Sequence, residues 1–401
     1  MALIVQKYGG SSVADADCMR RVAARVADAY RQGNDVVVVL SAQGDTTDDL
    51  IAKAHELNPN PSPRELDMLL ANGEQISTSL FAMTMETMGL PAISLTGWQI
   101  GLLTNTNYGS ARIKKFIGNR VKMELDRKNI VVVAGFQGMN RYDDVTTLGR
   151  GGSDTTAVAV AAILHADVCQ IFTDVDGIYT ADPRLVKGAH KLDEITYDEM
   201  LELASLGARV LHNRSVEMAK RYHVPLTVLS SFSQTPGTQV KEVFKVEQMN
   251  VSGVAKDDDV ARIALVGLPD APGIAFALFS LMARKNVNVD IILQSIGRGG
   301  TKDISFTVSK DHLELARRTL EDSRERLGFE DLIISDTISK ISIVGAGMVN
   351  NPGVAAQMFE ALASANINIQ MISTSEIKVS VLVDSMDAKR AVQAIHDKFF
   401  N

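Results

Sequence analysis

Nine residues constrain this chain more than any others: Leu148-Gly149-Arg150-Gly151-Gly152-Ser153-Asp154-Thr155-Thr156, running directly into the alanine-rich stretch Ala157 to His165. Three glycines allow backbone N–H groups to converge on an anion, and the helix that follows adds its positive end at the same place. The stretch therefore reads as a phosphate or carboxylate seat. Arg150 supplies a guanidinium fork for a carboxylate, and Asp154, in the first helical turn, is too close to such an anion to serve charge balance alone. The simpler alternative is a tight turn with an Asp or Ser cap, which requires neither three glycines nor an arginine.

The same arrangement recurs upstream. Leu3 to Val5 reads as a short buried strand that delivers the chain into Lys7-Tyr8-Gly9-Gly10-Ser11-Ser12, and helical spacing follows from Val13 to Arg31. Val36 to Leu40 is an uninterrupted apolar strand leading into Ser41-Ala42-Gln43-Gly44-Asp45-Thr46-Thr47-Asp48. Paired glycines permit close approach to phosphate oxygens, and Lys7 can place a mobile charge on a group being transferred. One Gly-Gly after a strand is an ordinary turn; the recurrence gives it weight. Ser62, Pro63 and Glu65 mark a helix start, and the helix beyond them carries Glu74. A carboxylate there is either on a solvated face or the partner of an ammonium group, and the pattern favours the solvated face.

Further apolar strands, Ala92 to Leu95, Ile130 to Ala134, Val168 to Phe172 and Leu226 to Leu229, alternate with helical segments. Such alternation predicts a largely parallel sheet covered by helices on both faces, with ligands bound beyond the carboxyl ends of the strands. The acids of the loop Thr173-Asp174-Val175-Asp176-Gly177-Ile178-Tyr179-Thr180-Ala181-Asp182-Pro183-Arg184 invite a calcium-loop reading, but the remaining ligands of such a loop are missing. A nucleotide-side loop fits better, with Tyr179 near a base and Arg184 near phosphates.

Length and composition narrow the class. A chain of 401 residues with 46% hydrophobic content suggests two or three domains, and a net charge of −7 argues against a nucleic-acid or acidic-membrane surface. Cys18 and Cys169 belong to no metal spacing, and no metal site is expected; a reduced, cytoplasmic setting fits them. The apolar run at the N-terminus is too short for a signal peptide and none reaches membrane-span length. P-loop, Rossmann, protein-kinase, zincin and hydrolase motifs are all missing.

The motifs at 7–12, 41–48, 149–154 and 173–184, taken in order, resemble those of the bacterial aspartokinases, and the likeness extends over essentially the whole chain. The resemblance implies an amino-acid-kinase fold and transfer of the ATP γ-phosphoryl group to the β-carboxylate of L-aspartate, with Mg²⁺ entering on the nucleotide. It assigns Lys7 and Asp154 to catalysis, the acid ordering the lysine. It assigns Lys7, Tyr8, Gly9, Gly10, Ser41, Thr173, Asp174, Tyr179, Asp182, Arg184 and Arg209 to ATP, and Arg209 stands where many relatives have lysine. To aspartate it assigns Thr47, Glu74, Arg150, Gly151, Gly152 and Ser153, with Arg150 on a carboxylate and Glu74 on the α-ammonium. The product would feed lysine, threonine, methionine and diaminopimelate synthesis. An inactive amino-acid sensor and another amino-acid or carbamate kinase of the same fold are the rival readings.

Beyond a kinase domain at 1–245, with a boundary at Glu242 to Gln248, the chain repeats itself. Pro272-Gly273, Phe279 and Asn286-Val287-Asn288-Val289 recur as Pro352-Gly353, Phe359 and Asn366-Ile367-Asn368-Ile369, each offset by 80 residues. The first copy, 261–336, reads as a ferredoxin-like βαββαβ module, whereas the second, 337–401, lacks a fourth strand that 251–255 could supply. The pair resembles tandem ACT domains. That resemblance implies regulation by lysine, threonine or both at Asp270, Gly273, Ala275, Gln294, Asn368, Ile369, Ser375 and Glu376. It also implies association through the ACT domains into a homo-oligomer, with a shorter chain from the same reading frame as a further partner.

Overall fold

Uninterrupted apolar runs become the centre of a sheet. In the computed structural model, which describes residues 2–206, 210–242, 251–297 and 299–400, Val36 to Leu40 and Ile130 to Ala134 are fully buried, as strands covered on both faces must be. Arg209, and the part of the expected boundary after Glu242, lie outside the described residues. Among those residues the main sheet has eight strands, ordered Glu194–Ile195, Thr238–Val240, Leu226–Ser230, Val168–Thr173, Leu3–Tyr8, Asp35–Leu40, Ile130–Ala134 and Ala92–Leu95. Only the pairing of Leu226–Ser230 with Thr238–Val240 is antiparallel.

Helix Ala16–Arg31 packs Met19, Val22, Ala23, Val26 and Ala27 into the core, the spacing of a single helical stripe. Asp15 caps it, accepting from the Cys18 N–H at 2.8 Å. The helix after the long glycine loop runs Gly152–Leu164 and so begins before the alanine-rich stretch. Gly151, at φ +66°, turns the chain in a way that suits glycine. Every residue from Gly152 to Ala161 is buried, which makes this the central helix. The structure adds a second sheet to the expected one, ordered Ile113–Phe116, Leu102–Thr104, Gln137–Met139 and Val145–Thr147. Its strands of three or four residues are too short for alternation to register in sequence.

The chain divides into two units, 1–179 with 191–246, and 180–190 with 247–401. In the second unit one antiparallel sheet is ordered Ile292–Gln294, Thr301–Val308, Ala261–Pro269, Asp331–Ser335; the other is Met371–Thr374, Lys378–Asp384, Ile338–Val344, Gly253–Asp257. The two orders correspond, with Gly253–Asp257 in the place that Asp331–Ser335 takes in the first. Val260, Ile291, Ile338, Met371 and Leu382 form one small core between the modules. Buried Lys340 reaches Asp290 at 2.6 Å and Asp257 at 3.4 Å.

The expected kinase domain 1–245 is not one continuous piece. Residues 180–190 leave it and fold with the second module, because their apolar side chains find a core there: Ala181 and Val186 are buried with Val254, Ile343, Met358 and Ile395. The Val254 N–H donates to the Thr180 carbonyl at 2.7 Å, and the Thr180 hydroxyl lies 2.9 Å from His396 Nε2. No helix among the described residues is long and apolar enough to cross a membrane.

Candidate active site

The loops after Leu3–Tyr8, Asp35–Leu40 and Val168–Thr173 leave the carboxyl ends of parallel strands and are tied to one another. The long glycine loop departs from the expected placement, because it follows Val145–Thr147, an antiparallel strand of the second sheet. The Ser41 N–H donates to the Tyr8 carbonyl and the Gly44 N–H to the Gly10 carbonyl, both at 3.1 Å. A Cβ on Gly10 would lie 2.8 Å from the Ala42 carbonyl oxygen, so the contact between these loops requires glycine. Ser12 and Ser231 share a hydroxyl contact of 2.5 Å, and the Ser231 N–H donates to the Thr173 carbonyl at 2.8 Å. Four strand ends thereby form one rim.

Lys7, one residue before the end of the central strand, meets Asp154 of the central helix at 2.7 Å, with about nine-tenths of each side chain buried. Parallel pairing with Asp35–Leu40 and Val168–Thr173 fixes the height of Lys7, and the Gly151 turn fixes Asp154. Ser153 is buried against Gly135, where a Cβ would lie 2.7 Å from its Oγ. Arg150 is exposed and Thr47 half-buried in the first turn of helix Thr46–Leu57.

Glu74 departs from the solvated-face expectation: it is 3% exposed. Gly73 is the reason, since a Cβ there would lie 2.7 Å from the Ala42 Cβ; its absence lets helix Asn72–Thr87 approach the loop after Leu40. Glu74 Oε1 accepts from the Ala42 N–H at 3.1 Å, while Oε2 is buried without a partner among the described residues. Burial pushes this carboxyl up to about 7, against the opposing pull of the Ala42 N–H.

On the side assigned to ATP, Thr173 donates to Asp174 at 3.0 Å and Asp174 is exposed. The Tyr8 ring is wholly buried and stacked on Phe172 at 4.5 Å, so only its backbone belongs to the loop. The Tyr179 hydroxyl donates to Asp176 at 2.7 Å. Asp182 and Arg184 pair with each other at 2.8 Å within the segment that folds with the second unit.

Of the regulatory candidates, Asp270 is paired with Lys302 at 3.2 Å, Gly273 opens helix Ile274–Arg284 at φ +93°, and Ala275 and Gln294 are exposed. Asn368, Ser375 and Glu376 are exposed and Ile369 half-buried beside strand Met371–Thr374 of the other module. Phe276, Ile292 and Ile296 are 79%, 50% and 90% exposed, an apolar surface around the first group.

Sequence reasoning missed Gly135, Asp67, His212 and Arg214. Gly135-Phe136 follows an apolar strand as the other glycine loops do, so the recurrence itself was a signal. Asp67 had none. It is 1% exposed, accepts from the N–H groups of Gly109 and Thr147 and from the Thr147 hydroxyl, and so fixes the approach to the long loop. His212 and Arg214 had none either.

The rim combines an ammonium held by a carboxylate, a helix N-terminus, glycine loops and a buried carboxylate with a free oxygen. That set can neutralise a transferring phosphoryl group beside an amino-acid acceptor. The amino acid kinase family model matches residues 2–230, and an ACT domain model matches 263–323 and 341–399. Aspartokinase of Mycolicibacterium smegmatis is 52% identical over 405 positions, covering 100% of this chain and 96% of the relative. The structure of E. coli aspartokinase III with aspartate and ADP superposes with a TM-score of 0.84 at 28% identity, and that of the same enzyme with lysine and aspartate with 0.78 at 28%; each match covers 100% of both chains. This chain therefore belongs to the aspartokinases, the ATP-dependent aspartate kinases of the amino acid kinase family that carry ACT domains.

Proposed function

We propose that phosphoryl transfer from ATP to the aspartate β-carboxylate takes place at this rim, with Lys7, held by Asp154, facing the transferring group. The ion pair of 2.7 Å at the strand end is the observation that carries this reading. The acceptor carboxylate has a reference pKa of about 3.9 and is ionised at neutral pH, so no general base is required. What the site must do is bring two anions together and compensate their charge. Lys7 and the N-terminus of helix Gly152–Leu164 suit that task, with Gly9, Gly10 and Ser41 around the phosphates. Arg150, Ser153 and Thr47 would orient the carboxylates of aspartate, and Glu74 Oε2 would accept its ammonium.

Mg²⁺ would enter with the nucleotide and spread the phosphate charge. The donor set fits that mode: Asp174 is an exposed carboxylate at the end of its strand. One carboxylate with phosphate oxygens is a usual Mg²⁺ environment. Lysine, threonine or both would act at the ACT modules of a homo-oligomer in a cytoplasmic setting; the lysine complex of E. coli aspartokinase III supports lysine, and the exposed Phe276, Ile292 and Ile296 support association.

ADP release from purified protein with Mg-ATP and L-aspartate tests the reading, repeated with lysine, threonine and both. Aspartate-dependent release is expected, suppressed by at least one effector. Effector binding without turnover would instead identify a sensor.

A further inference from the structure

Helix Asn213–Tyr222 begins with a turn that touches both ends of the long glycine loop. At the entry, Arg214 Nη1 donates to the Leu148 carbonyl at 2.5 Å and Nη2 to the Ala111 carbonyl at 3.0 Å. The same two segments are already joined by the Ala111 N–H, which donates to the Thr147 carbonyl at 2.8 Å. At the exit, the His212 side chain lies flat against Gly151: a Cβ built on that glycine would come within 2.3 Å of His212 Cβ and Cγ and 2.5 Å of Cδ2. His212 is itself fixed. Its Nδ1 accepts from the Arg214 N–H at 3.3 Å as the cap of the helix, sharing that N–H with Asn213 Oδ1 at 2.8 Å, and its carbonyl accepts from the Ser215 hydroxyl at 2.6 Å.

We propose that His212 and Arg214 are positioning residues for the Gly149–Gly152 loop, Arg214 fixing the carbonyl from which it departs and His212 the glycine at which it enters the central helix. Arg150 lies between these two fixed points. Three glycines give the loop large freedom, and a loop that must present one guanidinium to a ligand loses affinity with every alternative conformation. The guanidinium of Arg214 spans two carbonyls because its donors form a planar fork; a lysine ammonium cannot hold both in the same geometry. Half-buried Arg214 feels the charge of Glu217 on its own helix, but its guanidinium hydrogen bonds go to these two carbonyls. The assignment of the loop to aspartate rests on the reading given above, whereas the clamp itself rests on the contacts alone.

Two measurements on the full chain separate the clamp from that reading. Limited trypsin digestion, with mass spectrometry of the Arg150-Gly151 cut, reports how firmly the loop is held. Steady-state kinetics report the KM for aspartate and for ATP. Arg214→Gln and His212→Ala are expected to accelerate the cut and raise the aspartate KM, each about tenfold, the scale of a lost cap or hydrogen bond, with the ATP KM little changed. His212→Asn keeps a cap acceptor and the Cβ and Cγ contact, and should restore both readouts; Arg214→Lys should not. A cut rate unchanged in Arg214→Gln and His212→Ala overturns the clamp, as does an equal rise in both KM values with a lowered thermal midpoint. Arg150→Gln, included for its aspartate KM, tests the loop's assignment: no change there refutes the aspartate seat and leaves the trypsin result to decide the clamp. If Arg214→Gln or His212→Ala fails to fold, Arg214→Lys and His212→Asn, compared by the same cut, decide it.

Discussion

Glu74 accepts one hydrogen bond, from the Ala42 N–H at 3.1 Å, and keeps its second oxygen buried and unpartnered among the described residues. A helix and a loop thus hold a carboxylate in a state that favours protonation when no ligand is present. An incoming ammonium would supply the missing charge and draw the group back to its ionised form.

Glu74→Gln is expected to trade function for stability. Burial raises the carboxyl from 4.5 to about 7, so the stability it contributes is fully present below pH 4.5 and is lost as pH rises through about 7. Glutamine does not ionise, and the variant should gain on the parent between pH 5 and pH 8 by up to roughly 3 kcal/mol in urea denaturation of the ligand-free protein. The aspartate KM should rise about 10- to 100-fold. A stability difference independent of pH would sink this account.

Lys7→Met should lower kcat on the order of 10³-fold and destabilise the protein by about 3–5 kcal/mol, because Asp154 is left as a buried charge without its partner. Adding Asp154→Asn should recover much of the stability and none of the turnover. Recovery of turnover in the double variant would show that Lys7 does not act on the transferring group.

Gly10→Ala places a methyl group against two backbone carbonyls, Ala42 at 2.8 Å and Gly44 at 3.1 Å, neither of which can swing aside as a side chain could. A cost of about 1–3 kcal/mol in stability is expected, with a larger rise in the KM for ATP than for aspartate. Equal effects on the two substrates would place the loop outside the nucleotide side.

His396 carries a prediction for the second unit. Its burial pushes the imidazole below its ordinary 6.5, His190 adds to that and Asp397 opposes it. The stability it contributes is present above pH 6.5 and is lost as pH falls through the lowered value. Urea titrations at pH 7.5 and 5.5 should show an acid loss in the parent that His396→Gln reduces. The same substitution should leave trypsin cutting at Arg150 unchanged, since Thr180 and His396 belong to the other unit.

The fold class was legible because its signals are local and repeated. Val36 to Leu40 and Ile130 to Ala134 announce buried parallel strands without reference to any neighbour, and two copies of one module reveal themselves by a constant offset. The placement of individual side chains was less so. Tyr8 is next to two glycines in sequence, yet its ring belongs to the core because the pleat turns it towards Phe172.

By itself the sequence determined the parallel sheet, the glycine loops after Leu3–Tyr8 and Asp35–Leu40 and the duplicated module, all properties of periodicity and backbone freedom within short windows. Only the tertiary structure decided that Glu74 is buried, that 180–190 folds with the second module and that His212 and Arg214 hold the loop around Arg150. Burial and contact belong to pairs of residues far apart in the chain. His212 meets Gly151 because helices Gly152–Leu164 and Asn213–Tyr222 pack against each other, and no window of sequence contains both.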